Sequence, residues 1–223
     1  MSDYRILDRC LCCDSTDIEI LLDLNNQPLA NSYHDNTKEM DEYPLGVNIC
    51  NNCYHIQLTH VVNPNLLFKD YLYVSGTTQT LRDNMKWFVE YIIESNMQNL
   101  HFENNNVLDI ACNDGTQLNY FKDARFDTHG IDPAKNLHKL SSKNHKVVCD
   151  YFDSKHFDQK FDVITAQNVF AHTDDIHSFL KNCKSLSHKN TKILFKLLKQ
   201  TCLLIRSLIQ FIMSTCLSFA LTQ

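Results

Sequence analysis

Glycine is scarce in this 223-residue chain, which holds four where roughly 7% is usual. A loop built on a run of glycines is therefore excluded, and each glycine is expected where the backbone needs it. Basic charge is also in short supply. Lys and Arg total 21 against 26 Asp and Glu, for a net charge of -5 and a pI near 6.1. That balance argues against a protein that grips nucleic acid or an anionic membrane, and leaves small-molecule chemistry as the default. The opening MSDYRILDRC has no basic stretch leading into an apolar one, so a cytoplasmic chain with reduced cysteines is expected. Hydrophobic residues make up 43% and charged ones 21%, which excludes a disordered tail. The length suits one ordinary domain plus a small accessory one.

Cysteine is what the chain has in quantity: ten, five of them before residue 60. Cys10 and Cys13 form one C-x-x-C and Cys50 and Cys53 a second. In a segment with few long apolar stretches, two such pairs predict a tetrahedral, structural Zn2+ site with no position open to a substrate. Metal binding then contributes folding free energy that a small core cannot. Cys12 is an alternative to its neighbours as a ligand. The single cysteines, Cys112, Cys149, Cys183, Cys202 and Cys216, read as core residues.

Residues 77–97 place Leu81, Met85, Phe88, Val89, Ile92 and Ile93 at helical spacing behind a Thr N-cap. Beyond them the pattern alternates: strands at NVLDIA, THGID, KVVCD, FDVITAQN and TKILF, with helices through Leu118 and Phe121, near 135–140 and over about 173–186. Alternation predicts an α/β fold with a parallel, doubly wound, Rossmann-like sheet. Ligands bind at the carboxyl ends of such strands. The first strand carries Asp109 into a turn with Ala111, Asn113 and Gly115; the second ends at Asp132, placed for ribose hydroxyls; the third ends at Asp150 and Tyr151, placed for an adenine. Asn168 closes the fourth. With one glycine in place of G-x-G-x-x-G, a pyrophosphate cradle is not expected, and the acidic loop favours the ammonium of S-adenosylmethionine over NAD. Taken singly, each Asp serves equally well as a helix cap or a solvated loop residue.

Several peptides, taken in order, resemble the nucleotide-sugar C-methyltransferases. They are the two C-x-x-C pairs, DLNNQPLANSYH (23–34), YPLGVNICNNCYHIQLTHVV (43–62), DYLYVSGTT (70–78), VLDIACNDGT, GIDPAKN and ITAQNVFAHTDD (164–175). The resemblance covers residues 10 to about 195. It implies an S-adenosylmethionine-dependent methyltransferase sheet behind an N-terminal zinc-binding domain, a nucleotide-sugar substrate, zinc on Cys10, Cys13, Cys50 and Cys53, and Asp109, Asn113 and Asp132 near the cofactor. It also implies that His172 and Tyr71 or Tyr73 lie near the sugar. Asn25 and Ala111 stand where the family usually has glycine. Members remove a proton beside a ketone and let the resulting carbon nucleophile attack the sulfonium methyl.

The resulting division is 1–68 zinc-binding, 69–105 linking helical segment, 106–199 methyltransferase and 200–223 an apolar tail. That tail carries a single charge, Arg206, and is long enough to invite a membrane-spanning reading. Re-read one base earlier with suitable codons, residues 207–216 yield a Y-H-E-H segment of the kind the resemblance leads one to expect and this chain lacks. The tail is therefore expected to be an out-of-frame product of a frameshift near Phe195. The sheet is then incomplete after its fifth strand, turnover is impaired and no membrane is engaged.

Overall fold

The computed structural model describes residues 2–30, 40–97 and 102–196. They form two compact units: Met1–Leu67 with Phe170–His177, and Phe68–Val169 with Ser178–Lys196.

The first unit is antiparallel. Strand β1 (Tyr4–Ile6) pairs with β5 (His60–Val62), and β2 (Ile18–Pro28), β3 (Glu42–Cys50) and β4 (Ile56–Leu58) make a three-stranded sheet. A short helix, α1 (Pro64–Phe68), follows. Bulges between Ile20 and Leu22 and between Asp23 and Asn26 let the β2–β3 hairpin bend and continue. Asn25 sits in the second bulge at φ 57°, the left-handed conformation that glycine adopts at least cost. Among the described residues of 2–67 the buried apolar side chains are Leu7, Cys10, Tyr43, Val47 and Cys50. So thin a core cannot offset chain entropy unaided.

The second unit is the predicted α/β body. Helix α2 (Gln79–Met97) leads in, with the Thr78 hydroxyl accepting from the Leu81 N–H at 3.3 Å. Then come β6 (Asn106–Ile110), α3 (Thr116–Asp123), β7 (Asp127–Ile131), α4 (Lys135–Ser141), β8 (Lys146–Val148), β9 (Phe161–Gln167), α5 (Ile176–Ser185) and β10 (Ser187–Lys196). The sheet runs β10-β9-β6-β7-β8 and every pair is parallel. Strand order reverses at β6, so the crevice between the outgoing loops of β6 and β9 is the switch point at which such sheets bind ligands. Phe88, Val89 and Ile92 of α2 pack with Val107, Leu118, Phe121, Phe126 and Val163, using the face that the helical spacing marked. Cys112 and Cys183 are buried as expected, but Cys149 is exposed, because the chain leaves the edge strand β8 one residue earlier.

The opposite end of the sheet is clasped by Asp162. Its carboxylate accepts from the N–H groups of Glu103 (2.9 Å), Asn104 (2.9 Å) and Asn106 (3.2 Å) and pairs with His188 Nε2 at 3.0 Å. Burial alone would raise this carboxyl, but the hydrogen bonds outweigh it and hold it below the usual range.

Among the described residues no helix is long and apolar enough to cross a membrane. Residues 200–223, with Cys202 and Cys216, lie outside them.

Candidate functional site

The metal centre follows from two matched turns. In each C-x-x-C the first cysteine carbonyl accepts from the residue four places on: Asp14 N–H to Cys10 at 2.9 Å and Tyr54 N–H to Cys50 at 2.8 Å. Asp14 and Tyr54 both take positive φ, 59° and 60°, which curls each turn so that its two sulfurs face the same way. Cys10 Sγ lies 3.6 Å from Cys53 Sγ, and Cys13 Sγ lies 3.7 Å from Cys50 Sγ. All four sulfurs are within 4.8 Å of one another. A tetrahedral ion with bonds of about 2.3 Å spaces its ligands about 3.8 Å apart, so Zn2+ fits. The Cys13 thiol is lowered to about 6 by the Asn52 amide and the Ser15 N–H, whereas burial pushes Cys53 up. The Cys12 N–H donates toward Cys10 Sγ at 3.4 Å, and Cys12 is absent from the sulfur cluster.

At the carboxyl end of β6 the chain makes alternate left-handed residues: Ala111 at φ 56°, Asn113 at 53° and Gly115 at 80°. Gly115 caps α3 with no side-chain bond, and a Cβ there would meet Ser141 and His145. Ala111 holds its conformation against the clash of its own Cβ, which explains the glycine preferred at that place. Asp114 turns back to cap α3, accepting from the Thr116 N–H at 3.1 Å and hydroxyl at 2.9 Å.

Asp132 is buried and accepts from the Asn113 N–H and the Ala134 N–H, both at 2.8 Å. Each oxygen keeps a lone pair for a further donor. Burial raises this carboxyl against the pull of those two bonds. Asp109 lies deeper, accepting from the Thr165 hydroxyl at 2.7 Å and Gln117 Nε2 at 2.9 Å. Desolvation and the Asp132 charge raise it to about 7, against the two hydrogen bonds. Gln117 Oε1 is buried with no partner among the described residues. Asp150 is exposed, accepts from the Tyr151 N–H at 2.8 Å and pairs with His156 at 3.3 Å. Tyr151 is pushed up to about 12 by burial and by Asp150. Asn168, at φ 55°, follows β9 and donates its N–H to the Lys196 carbonyl at 2.8 Å.

Tyr71 and Tyr73 ride on residues 69–77, a strap tied to these same turns. Their rings meet edge to face at 6.4 Å. Burial holds both phenols above the ordinary range, with Tyr73 and Asp132 adding to Tyr71, and Asp114 to Tyr73. Gly76 makes the approach possible, since a Cβ there would stand 2.2 Å from Thr116 Oγ1.

In the second unit Asp109, Asn113, Asp132, Tyr71 and Tyr73 are linked around the 111–115 turn, while Asp150 and Tyr151 follow β8 and Asn168 follows β9. His172 is not among them. It ends a short 3-10 turn, Phe170–His172, in the first unit, where Arg5 pairs with Asp174 at 3.0 Å and His177 Nε2 meets the Cys12 carbonyl at 3.0 Å. Desolvation lowers its imidazole, although water still reaches the ring. Sequence reasoning missed Gln117, Asn136 and Thr165. Asn136 and Thr165 stand inside the quoted peptides, but nothing in a linear pattern shows which side chains turn back on a distant segment.

The family profile described as "Methyltransferase domain" matches residues 83–219, and one described as "Putative zinc binding domain" matches 10–68. The C-methyltransferase NovU of Streptomyces niveus is 25% identical over 194 residues, 82% of this chain and 45% of that protein. The chain thus spans less than half the length of this relative. Among solved structures, the plantazolicin methyltransferase BpumL in complex with SAH and a pentazolic analogue superposes with a TM-score of 0.44 at 20% identity, over 53% of this chain and 48% of its own. An S-adenosylmethionine-dependent methyltransferase from Clostridium acetobutylicum gives 0.43 at 20%, over 49% and 48%. With a five-stranded parallel sheet, a turn of left-handed residues at its switch point and a profile match over more than half its length, the chain belongs to the methyltransferase-domain family and carries a four-cysteine cluster suited to zinc.

Proposed function

We propose that the protein is an S-adenosylmethionine-dependent C-methyltransferase acting on a nucleotide-linked keto-deoxy sugar. The observation that carries this reading is that the 111–115 turn bonds both Asp132 and the Tyr71–Tyr73 strap at the carboxyl ends of β6 and β7. The C-methyltransferase relative and the zinc-type module support it. We assign residues 1–68 to zinc binding, 69–105 to the link and 106–199 to methyl transfer. Zinc on Cys10, Cys13, Cys50 and Cys53 is structural.

Asp132 would hold ribose hydroxyls with its free lone pairs, and Asp150 and Tyr151 would border the adenine. The cofactor, when bound, supplies an electrophilic methyl group. Tyr71 and Tyr73 stay protonated at neutral pH, since burial raises both phenols. They therefore act as hydrogen-bond donors, suited to an enolate oxygen. His172 lies in the first unit and is assigned no part in this site. Calorimetry with S-adenosylmethionine tests the reading. Saturable binding that Asp132→Ala abolishes is expected, and no heat with the wild type would refute it.

A second reading, a zinc-binding remnant without turnover, is favoured by the 207–216 segment. Shifted by one base, with suitable codons, it reads as the Y-H-E-H stretch expected of an active member. Resequencing the gene across the codons for 195–203 decides between the two: an in-frame continuation supports turnover in the natural protein, and an unaltered sequence supports the remnant.

A further inference from the structure

Asn136 sits in the first turn of α4, exposed, at a place where Asn is a poorer helix former than Ala, Glu or Lys. Its side chain is nevertheless fully engaged with a segment 65 residues away. Oδ1 accepts from the Tyr71 N–H at 3.1 Å and Nδ2 donates to the Tyr71 carbonyl at 2.8 Å. The amide thus satisfies both polar backbone groups of one residue, as a neighbouring strand would. Next to it the Lys135 N–H donates to the Lys69 carbonyl at 3.0 Å. Farther along the strap, Asn113 repeats the pattern: Oδ1 accepts from the Ser75 N–H at 2.9 Å and Nδ2 donates to the Tyr73 carbonyl at 2.9 Å. The Gly76 N–H reaches Asp114 at 3.0 Å. Irregular backbone with no strand beside it is therefore held by groups of the turn after β6 and of the first turn of α4.

We propose that Asn136 is a positioning residue that fixes Tyr71 over the crevice, acting through the strap rather than by touching substrate or cofactor. The proposal rests on the methyltransferase reading for the purpose of Tyr71, while the tether itself does not. Tyr71 lies close enough to Asp132 for that charge to act on its phenol, so release of the strap moves a hydrogen-bond donor away from the group assigned to the ribose. Asn113 is likewise occupied at its oxygen, which accepts from the Ser75 and Asp114 N–H groups, both at 2.9 Å, and keeps one Nδ2 hydrogen beyond the bond to Tyr73.

The test uses the full chain loaded with zinc. Hydrogen exchange of the Tyr71 amide, followed by NMR, should speed up about tenfold or more in Asn136→Ala, as two hydrogen bonds are lost, with the circular dichroism unchanged. Gly76→Ala, which forces the strap off Thr116, should speed exchange over the same residues. Calorimetry with S-adenosylhomocysteine completes a cycle. Asn136→Ala should weaken binding about fivefold in the wild type and less than about twofold in a Tyr71→Phe background. Unchanged Tyr71 exchange in Asn136→Ala, no loss of affinity, or an equal loss in both backgrounds would overturn the proposal. If the wild type binds no S-adenosylhomocysteine the methyltransferase reading falls, and the exchange rates still decide the tether.

Discussion

Replacing Asp109 by Asn should make the protein more stable above pH 7 and leave it nearly unaltered near pH 4. Asp109 is fully enclosed, with a rise from 3.8 to about 7 caused first by desolvation and then by the Asp132 charge. The folded state therefore holds this proton more tightly than the unfolded chain does. Its contribution is complete below about pH 4, declines as pH climbs through 7 and is constant above that. A rise of that size at about 1.4 kcal/mol per pH unit corresponds to about 4 kcal/mol, an upper bound because water entry and local relaxation soften the cost of a buried charge. Asn keeps an oxygen for the Thr165 hydroxyl and Gln117 Nε2, so the hydrogen bonds survive while the charge goes. Urea unfolding of zinc-loaded wild type and Asp109→Asn at pH 5 and pH 8 measures the difference. The variant should gain about 1 to 3 kcal/mol relative to wild type between the two conditions, since part of the change is already complete at pH 5. Equal pH dependence in both proteins would show that Asp109 ionises freely and that its burial does not govern its charge.

Four further outcomes follow from the geometry. Ala111→Gly should raise the urea midpoint with an unchanged slope: relief of a left-handed Ala gives about 1 to 2 kcal/mol and the freer unfolded glycine takes back about 0.4 to 1, for a net gain of about 1 kcal/mol. Asn25→Gly should be close to neutral, because Asn tolerates that conformation, and a large effect would contradict the bulge at that position. Cys50→Ser should reduce zinc, measured by atomic absorption, from about one ion per chain to near none and destabilise the protein by several kcal/mol, as should a chelator. Asp162→Ala should cost about 3 kcal/mol or more by stranding three backbone donors. The wild-type contribution of Asp162, whose carboxyl is depressed, should be full above its unfolded value near 3.8 and vanish as pH falls through the lower folded one, which acid titration of the two proteins checks.

The sequence on its own determined the repeating elements and the metal ligands, because each depends on spacing along the chain. Two C-x-x-C turns set two pairs of thiolates, and a period of 3.6 marks Phe88, Val89 and Ile92 as the inner face of α2. Apolar runs alternating with helical ones also require a parallel sheet with ligand loops at one end. What the spacing could not show is what each side chain does with its lone pairs and protons. Asp109 and Asp132 look alike at strand ends, yet one is sealed beneath Thr165 and Gln117 and the other keeps room for a further donor. Asn136 is an unremarkable polar residue until the strap, 65 residues earlier, comes back to lie against it. Tertiary structure alone decides such matters, since burial and long-range hydrogen bonds belong to atoms brought together in space, and these set the charge, the position and so the chemistry of each group.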